Sequence, residues 1–184
     1  MQIELGRPTD RKPPFRYSAV TRVWFSDTDA QGVVYYGRYL PYFDFARVEY
    51  HRHLGLRSLQ AGEHEFVMRA SNVSYEAPAR FDDLLEIFVR TTRIGRSSVT
   101  QEFAAWRIDD DRLMCTATQT LVLIDVATRQ PIAVPDDFRR VVARFEGPGF
   151  EGPGLEGPGL EARPEPSPGE RPTHRPAGDA GTDG

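Results

Sequence analysis

Two carboxylates, Asp27 and Asp29, flank Thr28 in the run Asp27-Thr28-Asp29-Ala30-Gln31-Gly32-Val33-Val34-Tyr35-Tyr36. Gly32 follows Asp29 closely, and an apolar-aromatic stretch then leads into a helical pattern. A carboxylate beside a helix N-terminus can act as nucleophile or general base on a substrate whose developing negative charge the helix amides hold. Asp29 is therefore the candidate catalytic group. The plainer role for an aspartate at this place is to cap the turn before the helix. Asp27 is expected to shape the loop by accepting hydrogen bonds from backbone amides. Extended backbone would instead send both carboxylates to one side as an acid/base dyad, which a turn between them would undo. Gly32 lets the loop turn and lets backbone approach a substrate closely. The N–H groups around Tyr35 and Tyr36 lie at the positive end of the helix dipole, where they can polarise a carbonyl and hold an oxyanion.

A helix must present these groups, and the sequence supplies one from about Gly37 or Arg38. Leu40, Phe43, Phe45, Ala46, Tyr50 and Leu54 recur near the helical period, with Arg38, Asp44, Arg47, Glu49 and Arg52 between them. Pro41 falls in the first turn or so, where its missing N–H costs little, and the helix is expected to end at Gly55. Arg16 to Trp24 reads as a strand before it. Four strands are expected after it, over residues 65–75, 84–94, 97–108 and 113–125, with turn chemistry at Gly95 and at Asp109 to Arg112. Those short turns predict antiparallel hairpins. A last helix is expected over 135–145, with acid at its start and arginines toward its end. A strand, a long helix and a run of antiparallel strands make an α+β pattern, with the helix on one face of the sheet.

Around this body, residues 15–145, the ends change character. Residues 1–14 read as a flexible leader. Residues 146–184 contain three copies of Glu-Gly-Pro-Gly-Phe/Leu, with ten glycines and eight prolines. So little apolar surface predicts a disordered tail. The tail holds eight acidic and three basic residues, which leaves the body near neutral at +1 of a total −4. A near-neutral body carries no electrostatic footprint for nucleic acid. No apolar run approaches the ~20 residues that span a bilayer, so no membrane partner is expected. The N-terminus lacks a secretory layout, and the single cysteine, Cys115, excludes an internal disulfide and suits a reducing, cytoplasmic setting.

Other chemistries find little purchase. Glycine-rich phosphate loops and Cys/His clusters with metal spacing are absent from the sequence, so neither a metal nor a cofactor is expected. Arg93, Arg96, Ser97 and Ser98 form a polar run at the Gly95 turn. Arg96 beside two hydroxyls is a candidate phosphate contact, with a solvated hairpin as the plain alternative. Arg129 and Arg139 are further candidates. His51 and His53, near the helix end, are expected at the surface or at a contact between copies.

Residues Asp27 to Tyr35, with Tyr39, Ala46, Arg47 and Glu49, resemble the signature of the 4-hydroxybenzoyl-CoA thioesterase family, and most closely its YbgC-like acyl-CoA thioesterase branch. That signature reads Asp-Thr-Asp-Ala-x-Gly-Val-Val-Tyr-x-x-x-Tyr, then Ala-Arg-x-Glu. The resemblance implies a hot-dog fold, an antiparallel sheet wrapped around one long helix. It implies hydrolysis of an acyl-CoA thioester with Asp29 as the catalytic carboxylate and the Tyr36 amide at the thioester carbonyl. It implies substrate contacts at Gly32, Val34 and Tyr35, CoA contacts at Arg96, Ser97 and Ser98, and homo-oligomers built as dimers of dimers. Coenzyme A enters as part of the substrate. Tyr36 stands where YbgC-like members often carry histidine. The alternative to an enzyme is a non-catalytic hot-dog protein that binds acyl-CoA or acyl-carrier protein as a sensor. A hot-dog hydratase or dehydratase, which uses a helix histidine with an acid, ranks last.

Overall fold

The computed structural model describes residues 5–56, 62–147 and 150. Strands β1 (Gly6–Pro8) and β2 (Tyr17–Arg22) precede the long helix α1 (Tyr39–His53). Strands β3 (His64–Tyr75), β4 (Leu84–Ile94), β5 (Ser98–Arg107) and β6 (Arg112–Asp125) follow, and α2 (Asp136–Glu146) closes the described chain. The expected disorder of the tail beyond Phe150, and with it His174, falls outside the described residues.

The six strands form one sheet in the order β1-β2-β4-β5-β6-β3, and every pair is antiparallel. The short turns at Gly95 and Asp109–Asp111 make β4-β5 and β5-β6 hairpins, as the turn residues predict. Strand β3 skips past both and pairs with β6 at the far edge. Register shifts between Met68 and Ala70, Thr91 and Arg93, and Ala105 and Trp106 bend the sheet, since a bulge locally raises strand twist. The curved sheet holds α1 against its inner face, the hot-dog arrangement that the resemblance implies.

Alternation along the strands builds the core. Leu85, Ile87 and Val89 of β4, Phe103 and Ala105 of β5, and Cys115 and Ala117 of β6 point inward at the helix. Phe43 meets Phe103 with ring centroids 5.1 Å apart. Each large side chain fully buried this way contributes about 1.5–3 kcal/mol. A second apolar cluster gathers Leu56, Ile94, Val99, Leu123, Phe138 and Val142 where α2 covers the other end of the sheet.

Three expectations about the periphery need correction. The 1–14 stretch contains β1, which lies against β2 because Gly6 has no Cβ; one would overlap the Tyr17 ring and the Ser18 carbonyl. The same stretch is tied down further by Arg11, paired with Glu86, and by Lys12, whose ammonium sits 3.7 Å over the Trp106 ring and 2.6 Å from Asp111. Glu146, placed in the tail by composition, is the buried last residue of α2. Its Oε1 accepts hydrogen bonds from the Tyr50 hydroxyl at 2.6 Å and the Thr91 amide at 2.8 Å, and burial raises its pKa. His51 is buried, not at the surface: its ring packs against Phe138 and Tyr50, and burial lowers its pKa to about 3.

Candidate active site

The loop that bears Asp29 is built by backbone hydrogen bonds. Phe25–Asp27 form a 3-10 turn, and Thr28 pairs with Val34 in an antiparallel bridge. Inside that bridge the Asp29 N–H donates to Val33 O and the Gly32 N–H to Asp29 O, both at 2.9 Å. Gly32 closes the turn at φ +71°, a region that side-chain-bearing residues rarely enter. The hairpin then docks on the segment after β3: Val34 N–H donates to Ala79 O at 2.8 Å, and Val33 bridges to Arg80.

Asp29 is half-buried in this turn. Its Oδ1 accepts the Gln31 N–H at 2.8 Å, a local turn contact. Its Oδ2 takes no hydrogen bond from the described residues. Oδ1 thus serves the turn, and Oδ2 is left without a hydrogen bond among the described residues.

Asp27 takes the structural part. It is buried, and its Oδ2 accepts the Tyr42 hydroxyl at 2.6 Å and the Trp24 N–H at 3.0 Å. The Arg38 Nε lies 3.7 Å from Oδ1. Burial and this carboxylate push the Tyr42 hydroxyl pKa up. The 3-10 turn aims Asp27 into the protein, and no hydrogen bond joins it to Asp29 among the described residues. Thr28 between them is extended, so it is the commitment of Asp27 to Tyr42 and Trp24, and not a turn, that takes it out of a dyad. Through its carbonyl, Asp27 also accepts the Tyr35 N–H at 2.9 Å, which fixes the approach to the helix.

Tyr36 opens a 3-10 turn, Tyr36–Arg38, that runs directly into α1. The first N–H groups of such a run have no acceptor within it. The Tyr36 N–H therefore lies at the positive end of the helix, two residues past the Thr28–Val34 bridge that closes the Asp29 turn. Around it lie three exposed phenols. The Tyr35 and Tyr36 rings stand 4.2 Å apart, and Tyr75 at the end of β3 meets Tyr36 edge-on at 6.5 Å. The Tyr75 hydroxyl donates to Tyr36 O at 3.1 Å. The Tyr35 hydroxyl pKa is raised, first by a side-chain hydrogen bond with Tyr36.

Asp29, Gly32, Val34, Tyr35 and Tyr36 thus gather at the N-terminal end of α1, with Val34 buried beneath the rest. Arg96, Ser97 and Ser98 do not join them. They occupy the hairpin at the other end of β4, roughly 30 Å away at ~3.3 Å per strand residue. There Arg139 donates to the Gly95 and Arg96 carbonyls at 2.6 and 2.9 Å and holds that hairpin to α2. Arg129 pairs with Glu65 at 2.7 Å on the surface. Tyr42 and Tyr75 carry no mark of a site role in the sequence. Tyr42 reads as one more aromatic of the helix, and Tyr75 reaches the loop only because β3 ends beside it.

Residues 23–142 match the family model of the thioesterase-like superfamily, and the chain belongs to that family. It is similar to the acyl-CoA thioester hydrolase YbgC of Escherichia coli O6:H1, with 34% identity over 128 residues, 68% of this chain and 92% of the relative. It is also similar to the acyl-CoA thioesterase YbgC of Haemophilus influenzae, with 30% identity over 67% of this chain and 91% of that one. Among solved structures, a probable thioesterase from Bartonella henselae superposes with TM-score 0.58 at 30% identity, over 64% of this chain and 96% of its own. A 1,4-dihydroxy-2-naphthoyl-CoA thioesterase from Synechocystis gives TM-score 0.65 over 71% and 98% of the two chains; at 21% identity it shares the fold.

Proposed function

We propose that this protein hydrolyses acyl-CoA thioesters, with Asp29 as the catalytic carboxylate and the Tyr36 N–H as oxyanion donor. The observation that carries the reading is a carboxylate with one oxygen that takes no hydrogen bond among the described residues, on a loop tied by backbone bonds to the start of a helix. The similarity to YbgC proteins supplies the substrate class. The substrate carbonyl points at the Tyr36 amide, and Tyr35, Gly32 and Val34 border the acyl group. As nucleophile, Asp29 adds to the thioester carbon, and the tetrahedral intermediate collapses by expelling CoA thiolate. Water then cleaves the mixed anhydride. As general base, Asp29 takes a proton from the attacking water, and that proton leaves with the thiolate. In both routes the oxyanion forms beside the helix amides, where loss of one donor typically costs ~2.7–4 kcal/mol of barrier.

The reading includes a cytoplasmic homo-oligomer, a dimer of dimers, with neither metal nor cofactor. Strand β3 leaves one edge of the sheet unpaired among the described residues, which suits pairing between copies. Arg96, Ser97 and Ser98 lie too far along β4 for the CoA at Asp29 of their own copy, so they serve the site of a neighbouring one. The test is free-thiol release from acyl-CoAs spanning benzoyl to palmitoyl, with wild type and Asp29→Asn side by side. Turnover on some esters and a fall of about 10²–10⁴-fold in the variant, with ester binding retained, is the expected result. Binding without turnover in the wild type would replace the enzyme with an acyl-CoA sensor.

A further inference from the structure

We infer that the chain carries a second ligand site, for a carboxylate with an apolar body, at the end of α1 opposite Asp29. A cavity of about 1020 Å³ opens there, large enough for a small-molecule ligand. From Tyr39 to His53 the helix covers ~21 Å at ~1.5 Å per residue, and no residue between 17 and 52 lines the cavity. It is therefore separate from the Asp29 loop. Eleven of its sixteen lining residues lie outside residues 23–142. The superfamily domain supplies only part of the wall; the segments before and after it complete the space.

The lining has two parts. Leu54, Val141, Phe145 and Phe150 offer aliphatic and aromatic surface for a hydrocarbon body. Arg16, Arg90, Arg144 and His53 bring cationic or neutral nitrogen donors to the same space. Arg90 is already matched by Glu102, through bonds of 2.8 and 2.6 Å. Arg16 has one long hydrogen bond, 3.4 Å to Phe145 O. Arg144 has neither a hydrogen bond nor an ion pair among the described residues. Two acids also line the cavity. Asp10 is exposed, and Glu146 has its Oε1 taken by Tyr50 and Thr91. Arg16 and Arg144 are exposed as well, and Arg16 acts electrostatically on Glu146, so Arg144 is the guanidinium left without a partner among the described residues, beside apolar walls. A guanidinium fork fits a carboxylate through paired N–H donors. The ligand this combination selects is a monocarboxylate with a medium-length apolar body.

Calorimetric titration of the full-length chain with decanoate, decanol and inorganic phosphate tests the site. Decanoate should bind one equivalent, with decanol at least about tenfold weaker for loss of a charge-assisted hydrogen bond and phosphate at least about tenfold weaker for lack of an apolar body to bury. Arg144→Gln should weaken decanoate by about tenfold while leaving the melting temperature and thiol release from acyl-CoA unchanged. Phe150→Ala should weaken decanoate and decanol alike. Absence of decanoate binding below its micelle-forming concentration would overturn the site. So would equal affinity for decanol, or an affinity that Arg144→Gln leaves unchanged. Turnover is not the readout, so failure here leaves the Asp29 reading standing, and failure of Asp29→Asn leaves this one standing.

Discussion

The two ends of α1 are built on opposite plans. At the N-terminal end the loop 28–34 is held almost wholly by backbone hydrogen bonds, and side chains beside the helix start stay accessible: Tyr36 is 62% exposed, and one Asp29 oxygen takes no hydrogen bond among the described residues. At the C-terminal end, side chains do the holding. Tyr50, His51 and Glu146 are buried, and Glu146 joins α2 to α1 and β4 through two hydrogen bonds. Backbone can fix a loop without using up the side chains that chemistry needs. Where side chains fix the fold, they are satisfied and inert. Asp27 stands between the plans: it belongs to the motif, yet its carboxylate is spent on Tyr42 and Trp24.

The contrast predicts which substitutions separate activity from stability. Asp29→Asn should give the largest effect on turnover, about 10²–10⁴-fold, with a stability change within about 0.5 kcal/mol, because the amide oxygen of Asn can still accept the Gln31 N–H. Unfolding of that variant at the wild-type temperature, measured by circular dichroism, would confirm the split; a large fall would erase it. Asp27→Ala should damage both properties. It strands the Tyr42 hydroxyl and the Trp24 N–H at about 1–3 kcal/mol each, and it loosens the turn that fixes Tyr35, so melting temperature and kcat should drop together.

Glu146→Ala should do the reverse of Asp29→Asn. Two donors lose their acceptor, at about 1–3 kcal/mol each, which lowers the melting temperature by on the order of 10 °C in a chain of this size. The kcat measured well below the new melting point should hold. A loss of kcat there would mean that the two ends are coupled through the helix. His51 sharpens the picture through pH. Its pKa is held at about 3 in the fold against an ordinary value of 6.5, so between those values the unfolded chain binds the extra proton. Stability from this group is present above about pH 6.5 and is lost as pH falls toward 3. His51→Leu should flatten that part of the melting-temperature profile relative to wild type. Smallest of all, Arg129→Ala removes a surface pair with Glu65 and should cost about 0–1 kcal/mol with no kinetic effect.

Much of this could be read along the chain. Strand alternation, the Gly95 and Asp-rich turns and the 3.6-residue period located β2 to β6 and both helices within a few residues, because those signals are local and steric. The carboxylate, the glycine at positive φ and the helix start were legible for the same reason. Residues 1–14 and Glu146 were misjudged because composition cannot see a partner. Gly6 matters through the Tyr17 ring, and Glu146 is buried by Tyr50 and Thr91, which lie 96 and 55 residues away. His51 and Glu49 sat among charged neighbours in the helix and read as surface, yet both are buried. A hot-dog sheet curves around its helix and covers faces that hydropathy alone leaves outside. The sequence by itself determined the elements, their turns and the chemical groups of the loop. Only the tertiary structure decided what each carboxylate binds, that Tyr75 borders Tyr36, and that Arg96 lies at the other end of β4. Hydrogen-bond partners and distances between segments depend on how strands pair, and that pairing is set by packing of the whole sheet.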